Sequence, residues 1–196
     1  MKAKKDKKKP IIFLKGNKVI LRPLRKETDL EHTTRWINDP EVNVFLSFFM
    51  PMSHQEESEF FDNLPKRKED IVFAIDTHDG EFIGLMGIHR INWKDRTATT
   101  GAVIGEKKYW GKGYGTDAKM ILLDYAFNTL NLRKICSSVI AYNKRSLQYN
   151  LHCGYKVEGI RRKQFFRKGK YWDEVELGLF KNEWLPYWKK YQKTKE

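Results

Sequence analysis

No apolar run in the sequence approaches the ~20 residues that a membrane-spanning helix needs. Nor does an apolar h-region follow the basic segment Met1–Lys9, which argues against a secretory signal. Cysteine is scarce: Cys136 and Cys153 are the two in 196 residues, and without a secretion signal they read as free thiols of a reducing cytoplasm. Repeats, low-complexity tracts and an obvious linker are all missing. The P-loop pattern G-x-x-x-x-G-K followed by Ser or Thr is also missing. A Rossmann fingerprint, G-x-G-x-x-G, is not met either, because the glycines here fall at 111, 113 and 115 and the preceding strands read as hairpin-linked.

What is present suits one enzyme-sized domain. The chain is 40% hydrophobic, with 12 Phe, 9 Tyr and 6 Trp, enough to build a sizeable core. The formal charge is +13, of which +5 sits in residues 1–9 and +3 in residues 189–196. The division expected is a basic flexible tail over 1–15, a domain over 16–185 and a basic extension over 186–196. The tails read as solubilising segments or as contacts for ribosome, RNA or another polyanion.

Periodicity places the elements. Val19–Leu24 reads as a strand, and Thr28 or Asp29 as the cap of a helix stopped at Asp39-Pro40. Ser53-His54-Gln55-Glu56 has capping-box spacing ahead of a helix to about Arg67. Strands are expected over Ile71–Asp76, Phe82–Asn92 and Thr97–Gly105, with turns at Asp79-Gly80 and Lys94-Asp95-Arg96. Thr116–Asn128 has helical spacing at Ala118, Ile121, Leu122 and Tyr125. Lys134–Ala141 reads as a strand, and Lys144–Cys153 as a helix closed by Gly154. Tyr155–Ile160 and Tyr171–Phe180 read as late strands, and Asn182–Tyr191 as a terminal helix interrupted by Pro186. The fold class expected is mixed α/β, a largely antiparallel sheet flanked by helices.

The most informative segment is Tyr109-Trp110-Gly111-Lys112-Gly113-Tyr114-Gly115-Thr116, which follows a strand and opens a helix. Unpaired N–H groups converge at such a junction, and glycines let the backbone approach a bulky anion such as a pyrophosphate. Lys107, Lys108 and Lys112 add charge around it.

In order along the chain stand the opening Val19–Pro23 with its Leu-Arg-Pro ending, the segment Ile104–Ala118, Asn143-Lys144-Arg145-Ser146, Cys153-Gly154-Tyr155, Glu158-Gly159 and Gly169-x-Tyr171-x-Asp173. This ordered set, spanning about residues 18–185, resembles the GNAT acetyltransferases, in particular the ribosomal-protein N-terminal acetyltransferase branch. Gly113 and Gly115 fill the glycine positions of the family's coenzyme A loop, and Trp110 stands where Gln or Arg is usual.

The resemblance implies an acetyl-CoA-dependent N-acetyltransferase without a metal, acting by direct attack of an amine. It implies that two adjacent parallel strands, 97–105 and 134–141, splay apart and that the pantetheine arm pairs with the backbone of Val103, Ile104 and Gly105. The coenzyme set it implies also includes Lys108, Trp110, Gly111, Lys112, Gly113, Tyr114, Gly115, Thr116, Asn143, Arg145 and Ser146. Two catalytic positions depart from the family pattern. Thr99 stands where relatives carry a Glu that aids deprotonation, and Asn150 stands where they carry a thiolate-protonating Tyr, with Tyr149 one step earlier. A one-residue shift of the helix would bring Tyr149 into that place. His89 is a candidate base. The amine expected is a protein N-terminus or a small molecule. A polyamine calls for acidic residues, such as Glu56, Glu57, Glu59 and Asp62. A cytoplasmic monomer or homodimer is expected. The rival reading is a ribosome- or RNA-binding module using exposed Trp184, Trp188 and Tyr191, or a regulatory module that binds coenzyme A without efficient catalysis.

Overall fold

The computed structural model describes residues 11–194. Eight strands form one sheet in the order β1-β2-β3-β4-β5-β6-β8-β7. They are β1 (Leu14–Lys15), β2 (Val19–Pro23), β3 (Ile71–Thr77), β4 (Phe82–Asn92), β5 (Thr97–Ile104), β6 (Lys134–Ile140), β7 (Lys156–Arg167) and β8 (Lys170–Phe180). Neighbours are antiparallel except β5 and β6. The helices are α1 (Lys26–Asn38), α2 (Pro40–Asn43), α3 (His54–Asn63), α4 (Tyr114–Asp124), α5 (Lys144–His152) and α6 (Lys181–Lys193).

The sheet carries a different core on each face. One face packs α4, α5 and α6 around Ile83, Met86, Ile88, Leu122, Phe127 and Trp184. The other packs Trp36 and Val42 against Ala74 and Phe82. Helix α4 is sandwiched so tightly that every residue from Asp117 to Leu123 is buried, well beyond the stripe that periodicity marked. A widened turn, Tyr125–Thr129, extends it.

Ser53 and Glu56 form the expected reciprocal capping box of α3. The helix before it corrects the reading of Thr28 and Asp29 as caps. Helix α1 starts at Lys26 with Arg25 as its cap residue, and Asp29 lies inside it. The Asp29 carboxylate is committed to Arg22, at 2.7 and 3.0 Å, while Arg22 also donates to Asp76 at 2.6 Å. All three side chains are buried, so the Leu-Arg-Pro strand serves as an internal clasp between β2, β3 and α1.

Two further expectations change at the chain ends. Phe13 donates its N–H to the Leu21 carbonyl and Leu14 pairs with Leu21, so the chain joins the sheet before residue 16. The tail over residues 1–10 lies outside the described residues. At the other end α6 runs through Pro186 without a break. Trp184 is 0% exposed, and it stacks on Trp188, which stacks on Tyr191, half-buried like it. The exposed aromatic face expected there is instead a packed seam, held by apolar burial strongly enough to tolerate one missing helical hydrogen bond.

Candidate active site

Strands β5 and β6 pair through three residues only: Thr97 with Lys134, Ala98 with Ile135, and Thr99 with Cys136. Beyond that the two strands part, while β5 stays paired with β4 as far as Ile104 and β6 with β8 as far as Ile140. Gly101 and Ala102 on β5, and Ser138 on β6, are exposed although both strands lie inside the sheet. The result is a wedge-shaped notch with unladdered backbone along its walls, able to take up an extended amide chain as a partial strand.

At the open end of the notch the loop after β5 turns into α4. Gly111 has φ +72° and Gly113 +84°, the left-handed region that glycine adopts without penalty. A side chain at Gly111 would meet nothing within 4 Å, and at Gly113 only the tip of Lys18. The loop surface is therefore bare backbone, with the first turn of α4 behind it. Lys18 donates to the Lys112 carbonyl at 2.9 Å and adds a cation that sequence reasoning missed, because it comes from the opposite end of the chain. Of the expected cations, Lys107 is bound to Asp39 and Glu41, and Lys108 pairs with Glu81 at 2.6 Å. Gly105 also serves the fold: its N–H donates to the Ile83 carbonyl, and a Cβ there would run into the Trp36 indole.

Arg145, at the start of α5, reaches across the notch and stacks its guanidinium 4.1 Å from the Trp110 ring centre and 5.4 Å from that of Phe45. Trp110 donates its indole N–H to the Ile104 carbonyl at 2.6 Å. Asn143 caps α5, accepting from the Ser146 N–H at 3.1 Å. Asn150, on α5, is 1% exposed and donates to the Ser146 carbonyl at 2.9 Å. Its Oδ1 is buried with no protein partner. Tyr149, one step earlier, faces the α4 helix. Its ring lies beside Gly115 and over Lys119, packed on the α4 core with a buried, unpartnered hydroxyl. Burial pushes the Tyr149 phenol well above its ordinary pKa.

His89 pairs in register with Thr99 and lies against Gly101, so it sits on the opposite face of the sheet from Thr100. Burial lowers the pKa of its imidazole, against the opposing effect of Asp70 at 3.5 Å. Burial therefore favours the neutral imidazole.

An extended arm ending in a pyrophosphate fits these residues: the notch offers unpaired strand edges, and the loop offers open glycines and a cation. Residues 18–156 match the family model described as "Acetyltransferase (GNAT) domain". The chain belongs to the GNAT family. It is an acetyl-CoA-dependent N-acetyltransferase. The spermidine N(1)-acetyltransferase of Escherichia coli (strain K12) is 29% identical over 170 residues, covering 87% of this chain and 90% of that one. YdaF of Bacillus subtilis (strain 168), named as a candidate ribosomal N-acetyltransferase, is 31% identical over 107 residues, 55% of this chain and 58% of its own. The crystal structure of spermidine N-acetyltransferase from Vibrio cholerae in complex with CoA and spermine superposes with a TM-score of 0.79 at 26% identity. It covers 85% of this chain and 98% of that one. The parting of β5 and β6 is thus the GNAT acetyltransferase notch that the sequence resemblance implied.

Proposed function

We propose that this GNAT enzyme transfers the acetyl group of acetyl-CoA to the primary amine of a small molecule, by direct attack in a ternary complex. The single observation that carries the reading is the parting of β5 and β6 beyond Thr99 and Cys136, with the open glycine loop at its mouth. The loop N–H groups from Gly111 to Thr116, with Lys18 and Lys112, would hold the pyrophosphate. The arm would run along Val103 and Ile104. The Asn143 Oδ1 is used as a cap, so a ligand role falls to its amide N–H2. Arg145 and Trp110 would form one edge of the mouth.

Thr99 is no base near neutral pH, whereas burial favours the neutral imidazole of His89 beside it, which lies on the face of Gly101. We assign the deprotonation of the acceptor to His89. Much of the acceleration would come from holding amine and thioester together.

The similarity to spermidine acetyltransferases supports a small amine as acceptor. The acidic residues anticipated for a polyamine are nonetheless used by the fold: Glu56 caps α3, Glu57 is buried beside Thr33, Glu59 accepts from Gln55, and Asp62 pairs with Lys26. The test is acetyl-CoA consumption over spermidine, spermine, amino sugars, aminoglycosides and peptides with free N-termini. Turnover of a small amine, with saturable thermal stabilisation by acetyl-CoA, is the expected result. Turnover of peptides alone would overturn the acceptor class. Absence of stabilisation, with steeply salt-dependent RNA binding, would overturn the enzyme reading.

A further inference from the structure

Lys119 on α4 is 1% exposed, and no carboxylate pairs with it among the described residues. Lysine is almost never fully buried unless paired, because an ammonium loses its hydration. Its neighbours Met120, Ile121 and Leu122 show that an apolar side chain would suit this stretch. Yet the ammonium donates to the Thr100 hydroxyl at 2.6 Å and lies 5.3 Å from the ring centres of both Tyr149 and Tyr155. Thr100 is the first residue of β5 past the last rung shared with β6. Its hydroxyl also meets the Tyr155 hydroxyl at 2.8 Å and the Cys136 carbonyl across the fork at 3.4 Å. A buried cation is thus hydrogen-bonded to a hydroxyl, itself on a residue only 4% exposed, at the point where β5 and β6 part.

The other groups around it stay neutral near pH 7. Burial pushes the Cys153 thiol up to about 12 and raises Cys136, Tyr149 and Tyr155. Asp117, on the same helix, is held by the N–H groups of Asn17, Lys18 and Val19 and by Tyr191. Lys119, lowered by burial to about 8, is the member of this cluster that changes charge in the working range and remains mostly protonated at pH 7.

We propose that Lys119 is the proton source for the coenzyme A thiolate released at the fork, acting through the Thr100 hydroxyl. The inference rests on the acetyl-transfer reading above. As the amine nitrogen bonds to the acetyl carbon, the C–S bond breaks and its electron pair stays on sulfur. Thr100 gives its hydroxyl proton to the sulfur and takes one from the Lys119 ammonium, leaving a thiol and a neutral amine. The proton shed by the acceptor nitrogen goes to His89 on the opposite face. Solvent recharges Lys119 and discharges His89 once the products leave. Lys119 is in this sense a positioning residue, which holds and charges the hydroxyl that meets the sulfur.

The test compares wild type with Lys119→Met and Thr100→Val. Each variant should lose about 10²-fold in kcat, within the range for a general acid, with the KM for acetyl-CoA changed by less than about twofold. Wild-type kcat should fall as pH rises above about 8, and that limb should be missing in Lys119→Met. A second readout needs no turnover: the ultraviolet absorbance of the thiolate of bound coenzyme A, titrated without acceptor. The thiol should ionise at lower pH in wild type than in Lys119→Met, because the cation favours the thiolate. A variant that keeps the alkaline limb, or a bound thiol that titrates alike in both proteins, overturns the proposal even if kcat falls. If coenzyme A fails to bind wild type, the acetyl-transfer reading falls first and this one with it.

Discussion

Replacing Lys119 by Met should make the protein more stable at neutral pH, although it deletes a 2.6 Å hydrogen bond. Burial takes the ammonium from its ordinary 10.5 to about 8. At about 1.36 kcal/mol per pK unit, keeping that charge inside the fold costs of order 3 kcal/mol below pH 8. Losing the bond to Thr100 offsets roughly 1.5 kcal/mol of that, since the donor is charged. The net gain from Lys119→Met is then about 1–2 kcal/mol, or about 2–8 °C in Tm for a chain of this size. The sign with pH is distinctive. Between about 8 and 10.5 the unfolded chain holds the lysine proton and the folded chain does not, so rising pH favours folding of wild type. The advantage of the variant should therefore shrink over that window. Urea melts of both proteins at pH 7 and pH 10 measure it. A variant less stable than wild type at pH 7, or a difference that does not move with pH, would refute the electrostatic account of this site.

Four other perturbations test separate parts of the structure. Gly113→Val forces a branched residue to φ +84° at the coenzyme loop, so thermal stabilisation by acetyl-CoA should vanish while a cooperative melt remains; a folded variant with the wild-type shift refutes the loop assignment. His89→Gln should lower kcat/KM at least about tenfold and remove the acid limb, because a base with a lowered pKa loses function only as pH falls through a value below 6.5; an unchanged acid limb assigns the base elsewhere. Arg22→Ala leaves Asp29 and Asp76 buried without their cation and should cost about 3–5 kcal/mol in urea melts; a loss under about 1 kcal/mol would show that the clasp is dispensable. Tyr149→Phe removes a hydroxyl without a partner, so stability should hold or rise by up to about 1 kcal/mol, and kcat should stay within about twofold; a large fall in kcat would restore Tyr149 as the acid.

The strands and the loop were legible because their signals are local. Apolar runs between turn signals marked β3 to β5, the Ser53–Glu56 spacing marked a helix start, and three alternate glycines marked the turn that opens α4. The misreadings fall where a partner far along the chain decides. Asp29 has the chemistry of a cap, but Arg22 claims its carboxylate from another element. Trp184 looks exposed beside Pro186 until Phe127, 5.3 Å away, and the sheet cover it. Lys119 sits off the apolar stripe of α4, where a charge reads as solvated, and Thr100, Tyr149 and Tyr155 from other elements bury it. The notch itself depended on family resemblance, since no periodicity within β5 or β6 announces that two neighbours stop pairing after three residues.

Asp117 has a consequence for anyone handling this enzyme. Its carboxylate, one turn into α4, accepts from three successive N–H groups near the chain's beginning and from the Tyr191 hydroxyl near its end. Residues 17–19 and α6 are thereby moored to the helix that the glycine loop opens. A change at residues 17–19 or a fusion that pulls on α6 should therefore be felt first at the start of α4 and its glycine loop, well away from the point where β5 and β6 part.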